Sequence, residues 1–188
     1  KPSDYFESKI WTGNGSSQDI SLDFAPDWNW IKQRSATRYH NLQDTIRGTG
    51  LQLFSNTTSA DNSDGTNITA FNSDGYSLGA GDNVNKNTST YVGWSWKAGG
   101  SASSNSDGNI TSSVSVNTTA GFSIVSYTGT GGGKTVGHGL GVAPRVFFMK
   151  NRGSADYNWS VWHADLATPT TARLALNTTA AQANNSSY

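Results

Sequence analysis

Tyr91-Val92-Gly93-Trp94-Ser95-Trp96 alternates large apolar residues with small or polar ones. A period of two sends successive side chains to opposite faces, which is the pattern of a β-strand with one face on a core. Trp28-Asn29-Trp30-Ile31-Lys32 repeats the pattern. In both segments the tryptophans share a face, and that face is expected to be the buried one. Phe122 to Tyr127 has strand length and composition. Arg145 to Lys150 is a nearly continuous apolar run, which predicts a strand buried on both faces. Asp64-Gly65, Asp74-Gly75 and Asp107-Gly108 supply turns between such runs. The best helix candidate is short, around Leu42 to Arg47.

Composition agrees with a β fold. Hydrophobic residues are 34% and charged residues 14% of the 188, both low for a globular chain. Gly, Ser, Thr and Asn fill the deficit and favour turns and strand surfaces over helices. Seven Trp, seven Tyr and seven Phe supply the core that the aliphatics do not. Net charge is zero, with 13 basic and 13 acidic residues, so binding to nucleic acid or to an anionic membrane surface is disfavoured. No cysteine is present, which excludes disulfides and thiolate metal sites. No apolar run approaches about 20 residues, so no helical membrane span is expected.

The chain repeats itself. Trp11-Thr12-Gly13-Asn14-Gly15 returns as Tyr127-Thr128-Gly129-Thr130-Gly131. Ala25-Pro26 returns as Ala143-Pro144, and Trp30-Ile31-Lys32-Gln33-Arg34 as Phe148-Met149-Lys150-Asn151-Arg152. Asn56-Thr57-Thr58 returns as Asn177-Thr178-Thr179. The same landmarks in the same order predict related supersecondary units. The second copy lacks a counterpart of Phe71 to Gly100. Either further chain or a neighbouring molecule is expected to supply the missing strands. The expected organisation is a first β-sandwich over 1–100, a Gly/Ser/Asn-rich linker over 101–112, and a second, incomplete unit over 113–188.

These landmarks resemble a repeat domain of structural proteins from marine tailed bacteriophages. The resemblance covers nearly the whole chain. It rests on the aromatic-Thr-Gly-x-Gly opening, on Arg47-Gly48, and on Phe71-x-Ser73-Asp74-Gly75-Tyr76-Ser77-Leu78-Gly79. It also includes the closing Tyr91-Val92-x-Trp94-x-Trp96-Lys97-Ala98-Gly99-Gly100. It implies an antiparallel concanavalin-like or jelly-roll sandwich on a virion surface, as part of a fibre, tail or capsid. It implies partners among other virion proteins and copies of the same chain, and transfers no catalytic residue.

Motifs for chemistry are sparse. Gly133-Lys134-Thr135 suggests a phosphate loop, but the glycine required five positions earlier is Thr128. His40, His138 and His163 form no short metal-binding pair. Glu7 is the only glutamate, and the aspartates lie mostly in turn contexts, so a glycosidase pair is not expected. Asp61, Ser63, Asp64 and Asn67 offer oxygens that a Ca²⁺ ion would accept, without the distal glutamate of an EF-hand. No other cofactor is indicated. Trp11, Trp159 and Trp162 are candidate stacking platforms for a host-surface glycan. The expected function is a non-enzymatic virion structural module with a role in host attachment. A lectin-like receptor binder is the alternative, and a polysaccharide depolymerase the third reading.

Overall fold

The structure, a computed structural model, describes residues 1–168 and 170–184. Strands dominate. In chain order they are β1 (Phe6–Thr12), β2 (Gln18–Ser21), β3 (Trp28–Gln33), β4 (Asn41–Asp44), β5 (Leu51–Phe54), β6 (Asn62–Ser63), β7 (Ile68–Asn72) and β8 (Gly75–Leu78). One helical turn, α1 (Asp82–Asn85), precedes β9 (Thr90–Trp96). Then come β10 (Ser103–Asn105), β11 (Ser112–Asn117), β12 (Phe122–Tyr127), β13 (Val146–Met149), β14 (Ser160–His163), β15 (Ala172–Ala175) and β16 (Ala183–Asn184). The fold is all-β and every pair of these strands is antiparallel.

The first half is a sandwich. A six-stranded sheet of order β1-β9-β3-β4-β5-β6 faces a three-stranded sheet of order β2-β8-β7. Ile20, Ile68, Tyr76 and Leu78 from the small sheet meet Ile31 and Tyr91 from the large one, with Val84 of α1. The β7–β8 hairpin turns at Ser73 and Asp74 and enters β8 at Gly75, whose φ is +144°. A Cβ there would lie 2.0 Å from the Ile20 carbonyl oxygen, so only glycine fits.

The alternation read from the sequence is present, but its faces are exchanged. The interior of the sandwich takes Asn29, Ile31 and Gln33 from β3, and Tyr91, Gly93 and Ser95 from β9. Trp28, Trp30, Trp94 and Trp96 lie on the opposite, outer face. A polar row crosses the interior instead: Ser95 opposes Asn29, which opposes Gln43. These residues are at most 1% exposed and hydrogen-bonded. Ser95 donates to Asn29 at 2.6 Å, Gln43 accepts from the Ile68 amide at 3.0 Å, and Gln43 donates to the Thr49 carbonyl at 2.7 Å. Hydrogen bonding is what makes such burial tolerable.

The second half covers the tryptophan face. Phe122 stacks on Trp28 and Trp96 with centroids 5.8 and 6.2 Å away. Phe148 meets Trp30 edge-on at 6.5 Å. Trp159, Leu42 and Leu53 form a second buried cluster with Trp28, Trp30 and Leu176 against it. The aromatics are thus a core, but one between halves of the chain rather than inside the first sandwich.

Register is kept between the two copies. Trp28 opposes Asp44 as Val146 opposes His163, and Leu42 opposes Leu53 as Val161 opposes Leu174. Lys32 Nζ donates to the carbonyls of Gln33 and Ala36, and Lys150 Nζ to those of Asn151 and Ser154. The recurring lysine therefore closes the loop after its strand in both places. The second half holds a three-stranded sheet, β10-β11-β12, and a four-stranded one, β13-β14-β15-β16. The end of the expected second unit, 185–188, lies outside the described residues.

Three local expectations are corrected. Leu42 to Arg47 is not a helix but β4 followed by a turn, because the Asp44 carboxylate captures the Arg47 amide at 2.9 Å and side chain at 2.6 Å. β13 is not buried on both faces: Val146, Phe147 and Phe148 are 44, 39 and 43% exposed, because the strand is terminal in its sheet. Residues 101–112 are not a free linker. They include β10, which pairs with β11. Nearby, the buried Asp27 carboxylate accepts the Ala98 and Gly100 amides at 2.7 and 3.2 Å, fixing the Lys97-Ala98-Gly99-Gly100 landmark.

A polar cleft at the seam between the two halves

The residues singled out for chemistry are placed apart. Trp11 packs inward, with its ring stacked on Tyr91 at 5.6 Å and its N–H donating to the Val84 carbonyl at 3.0 Å. Trp159 is 6% exposed and donates to the Phe54 carbonyl at 2.9 Å. Packing consumes the Trp159 ring, whereas Trp11 is partly buried, with Tyr91 stacked on it and Tyr76 edge-on. Trp162 is half-buried and stacks on Phe147 at 5.2 Å beside a shallow depression.

The Asp61 and Asp64 carboxylates of the candidate Ca²⁺ loop are engaged by partners within the protein. Asp61 pairs with Arg152 at 2.7 Å. Asp64 accepts from the Thr66 amide and hydroxyl, from Gln52 and from Asn67. Partial burial alone would raise the Asp64 pKa, and those donors outweigh it and lower it. Asn67 is fully buried, and Ser63 is exposed on β6. Among the described residues no group of three or more His, Cys, Asp or Glu is arranged to hold a metal. Three further carboxylates are ion-pair partners: Asp44 with Arg47, Asp82 with Arg38, and Asp165 with Arg145.

The two Asn-Thr-Thr landmarks come together. Asn56 Oδ1 accepts the His40 amide at 2.9 Å, just before β4. Asn177 Oδ1 accepts the Trp159 amide at 2.8 Å, just before β14. The repeated asparagine thus pins the start of the same strand in each half. Both corners open onto one cleft of about 670 Å³, lined by Trp30, His40, Ser55, Asn56, Leu176 and the Asn177-Thr178-Thr179 landmark. Among the described residues two polar atoms there are buried without a partner, the Trp30 indole N–H and the Ser55 hydroxyl. Both atoms belong to residues that line the cleft but are themselves buried behind its wall, so a ligand's oxygens would reach them only if neighbouring side chains shift.

The cleft is neutral. It holds no carboxylate, arginine or lysine among its lining residues. Burial, and then the nearby Lys32 charge, push the His40 pKa below its usual value, so its imidazole is uncharged at neutral pH. A neutral imidazole, primary amides and hydroxyls are groups that can hydrogen-bond the hydroxyls of a neutral sugar. Sequence reasoning missed this site because its parts come from both copies. The recurrence of Asn-Thr-Thr was the one signal pointing to it.

No curated protein and no solved structure matches the chain. A family model described as a domain of unknown function (DUF7483) matches residues 1–188, and the chain belongs to that family.

Proposed function

We propose that the chain is a non-enzymatic attachment module of a phage particle, a β-sandwich body that binds neutral host-surface carbohydrate in the seam between its halves. One observation carries the binding reading: a neutral cleft lined by hydroxyls, primary amides and an indole, with the unpartnered Trp30 and Ser55 donors buried directly behind its wall. Placement on a virion, and the concanavalin-like or jelly-roll subclass of the sandwich, rest on the resemblance of the repeated landmarks. A module displayed in many copies needs only weak contacts, since multivalency multiplies them.

The test is a glycan screen with the isolated chain. A neutral glycan is expected to bind saturably. Ser55→Ala is expected to weaken it roughly fivefold, the worth of about 1 kcal/mol for one hydrogen bond. Because the Ser55 hydroxyl has no partner among the described residues, the melting temperature is expected to stay unchanged. Binding unaffected by Ser55→Ala, or absent across neutral glycans, removes the cleft as the site. Peptide mass spectrometry of purified particles tests placement separately, with fixed stoichiometry to the major capsid protein as the expected result.

A second reading has its own observation. The Phe147–Trp162 pair, stacked at 5.2 Å, borders a depression of about 210 Å³ that Thr170 and Arg173 also line. If the sugar sits there, Trp162→Ala abolishes binding and Ser55→Ala does not.

A further inference from the structure

Asn14-Gly15 is the only Asn-Gly pair in the chain. Such a pair is chemically reactive. The backbone nitrogen of the glycine attacks Cγ of the asparagine, and no Cβ on the glycine hinders the approach. The new C–N bond closes a succinimide ring. The side-chain nitrogen leaves as ammonia, taking the proton of the backbone amide. Water then opens the ring at either carbonyl and gives aspartate or isoaspartate. Solvent is the only co-reactant.

The pair lies in the loop between β1 and β2, and both residues are exposed. Water reaches them, so burial gives no protection. Hydrogen bonds do. The Gly15 N–H, the attacking group, donates to the Asn85 carbonyl at 2.8 Å. Asn14 Oδ1 accepts from the Ser16 amide at 2.8 Å and from Asn85 Nδ2 at 3.1 Å. Asn14 Nδ2, the leaving group, donates to the Ser17 carbonyl at 3.3 Å. The Asn14 amide donates to Asn85 Oδ1 at 3.0 Å. Nucleophile, electrophile and leaving group are each held.

One residue supplies most of the hold. Asn85 ends α1 and is 0% exposed. Its carbonyl, Oδ1 and Nδ2 all reach the loop, and Nδ2 also donates to the Gly79 carbonyl at 2.8 Å. Its own place is enforced from both sides. Trp11 donates to the Val84 carbonyl at 3.0 Å, and the Lys86 amide donates to the Tyr91 hydroxyl at 2.9 Å. Gly13 donates to the Ser89 carbonyl at 2.8 Å and accepts the Thr88 amide at 2.9 Å. Thr88 has φ of +66°, which a β-branched residue keeps only where its surroundings impose it.

We propose that Asn14 is a latent deamidation site gated by the Asn85 clamp, reacting only in molecules whose loop has left Asn85. Its rate is the rate of the free pair multiplied by the fraction of open loops. The change is one-way. Isoaspartate puts an extra methylene into the backbone between residues 14 and 15, so the Gly15 amide no longer meets the Asn85 carbonyl in register. Openings of this loop therefore accumulate as a permanent chemical mark. This goes beyond carbohydrate binding and uses no residue of the cleft.

The test is to age the chain at mildly alkaline pH beside a synthetic peptide of residues 9–19. Peptide mass spectrometry follows the amide-to-acid mass gain and the isoaspartate at position 14. Asn14 is expected to react about a hundredfold more slowly in the chain than in the peptide, as a few hydrogen bonds of ordinary net strength allow. Amide exchange at Gly15 is expected to be slowed by the same factor, since one opening frees both. Asn85→Ala is expected to raise the Asn14 rate in the chain by about tenfold or more. Equal rates in chain and peptide overturn the proposal. So does a Gly15 protection factor that the Asn14 rate does not share. An Asn85→Ala chain with the parent's circular dichroism and the parent's Asn14 rate removes Asn85 as the gate. The first two comparisons need no variant, so they decide even where Asn85→Ala does not fold.

Discussion

Replacing Asp44 by alanine is expected to lower the unfolding free energy by about 3–5 kcal/mol, the cost of leaving one partner of a buried ion pair behind. The Asp44 and Arg47 side chains are 7 and 5% exposed, with Nε 2.6 Å from Oδ2. Oδ1 also accepts the Arg47 amide at 2.9 Å, closing the turn after β4. Without the carboxylate the guanidinium keeps only its 3.0 Å bond to the Leu42 carbonyl, and Nη1 already has no partner. The charge would stay buried and uncompensated. Asp44→Ala combined with Arg47→Met is expected to recover part of the loss, since the orphaned charge goes as well. Urea unfolding at neutral pH reads both. A loss below about 1 kcal/mol for the single variant would reduce the pair to the level of an exposed one. The same geometry explains why Arg47-Gly48 stands out in the sequence: the turn needs the guanidinium on one residue and φ of +83° on the next.

The fold class was legible because period-two alternation, Asp-Gly turns and a Ser/Thr/Asn/Gly-rich composition all point to β structure. The choice of face was not. In Trp28-Asn29-Trp30-Ile31 either set of alternate side chains satisfies the pattern, and size favours burying the tryptophans inside the sandwich. What overrides size is that Ser95 bonds to Asn29 within the large sheet and Gln43 to the Ile68 amide of the small one, while the tryptophans find Phe122, Phe148 and Trp159 from the other half. Local sequence does not encode that second covering. For the same reason Trp159 was misplaced among exposed platforms, although its copy-related position, the residue before β4, is His40. Each donates its amide to a recurring asparagine, but only Trp159 inserts a ring into the seam. The apolar run at β13 misled in the opposite sense. It resembles a doubly buried strand, and a strand whose neighbour on one side is absent has the same composition.

Trp159→Ala is expected to cost about 3–5 kcal/mol, as for a large aromatic cut from a packed core. The ring joins the halves: it lies on Leu42 and Leu53 of the first, with Leu176 of the second beside it. Its loss also leaves the Phe54 carbonyl without the indole donor. Trp159→Phe retains most of the packing and loses that bond, so a penalty nearer 1 kcal/mol is expected on top of a modest volume term. The route of unfolding is diagnostic. The first half has its own interior around Ile31, Ile68, Tyr76 and Tyr91, which Trp159 does not enter. Cutting the ring should therefore uncouple the seam and let the second half melt first, so that a single thermal transition becomes two. Uniform destabilisation with one transition would mean that other seam contacts, chiefly Phe122 on Trp28 and Trp96, suffice to hold the halves as one cooperative unit. An unchanged melting temperature with lost glycan binding would instead return Trp159 to the role of a sugar platform, and would require its ring to leave the seam in solution.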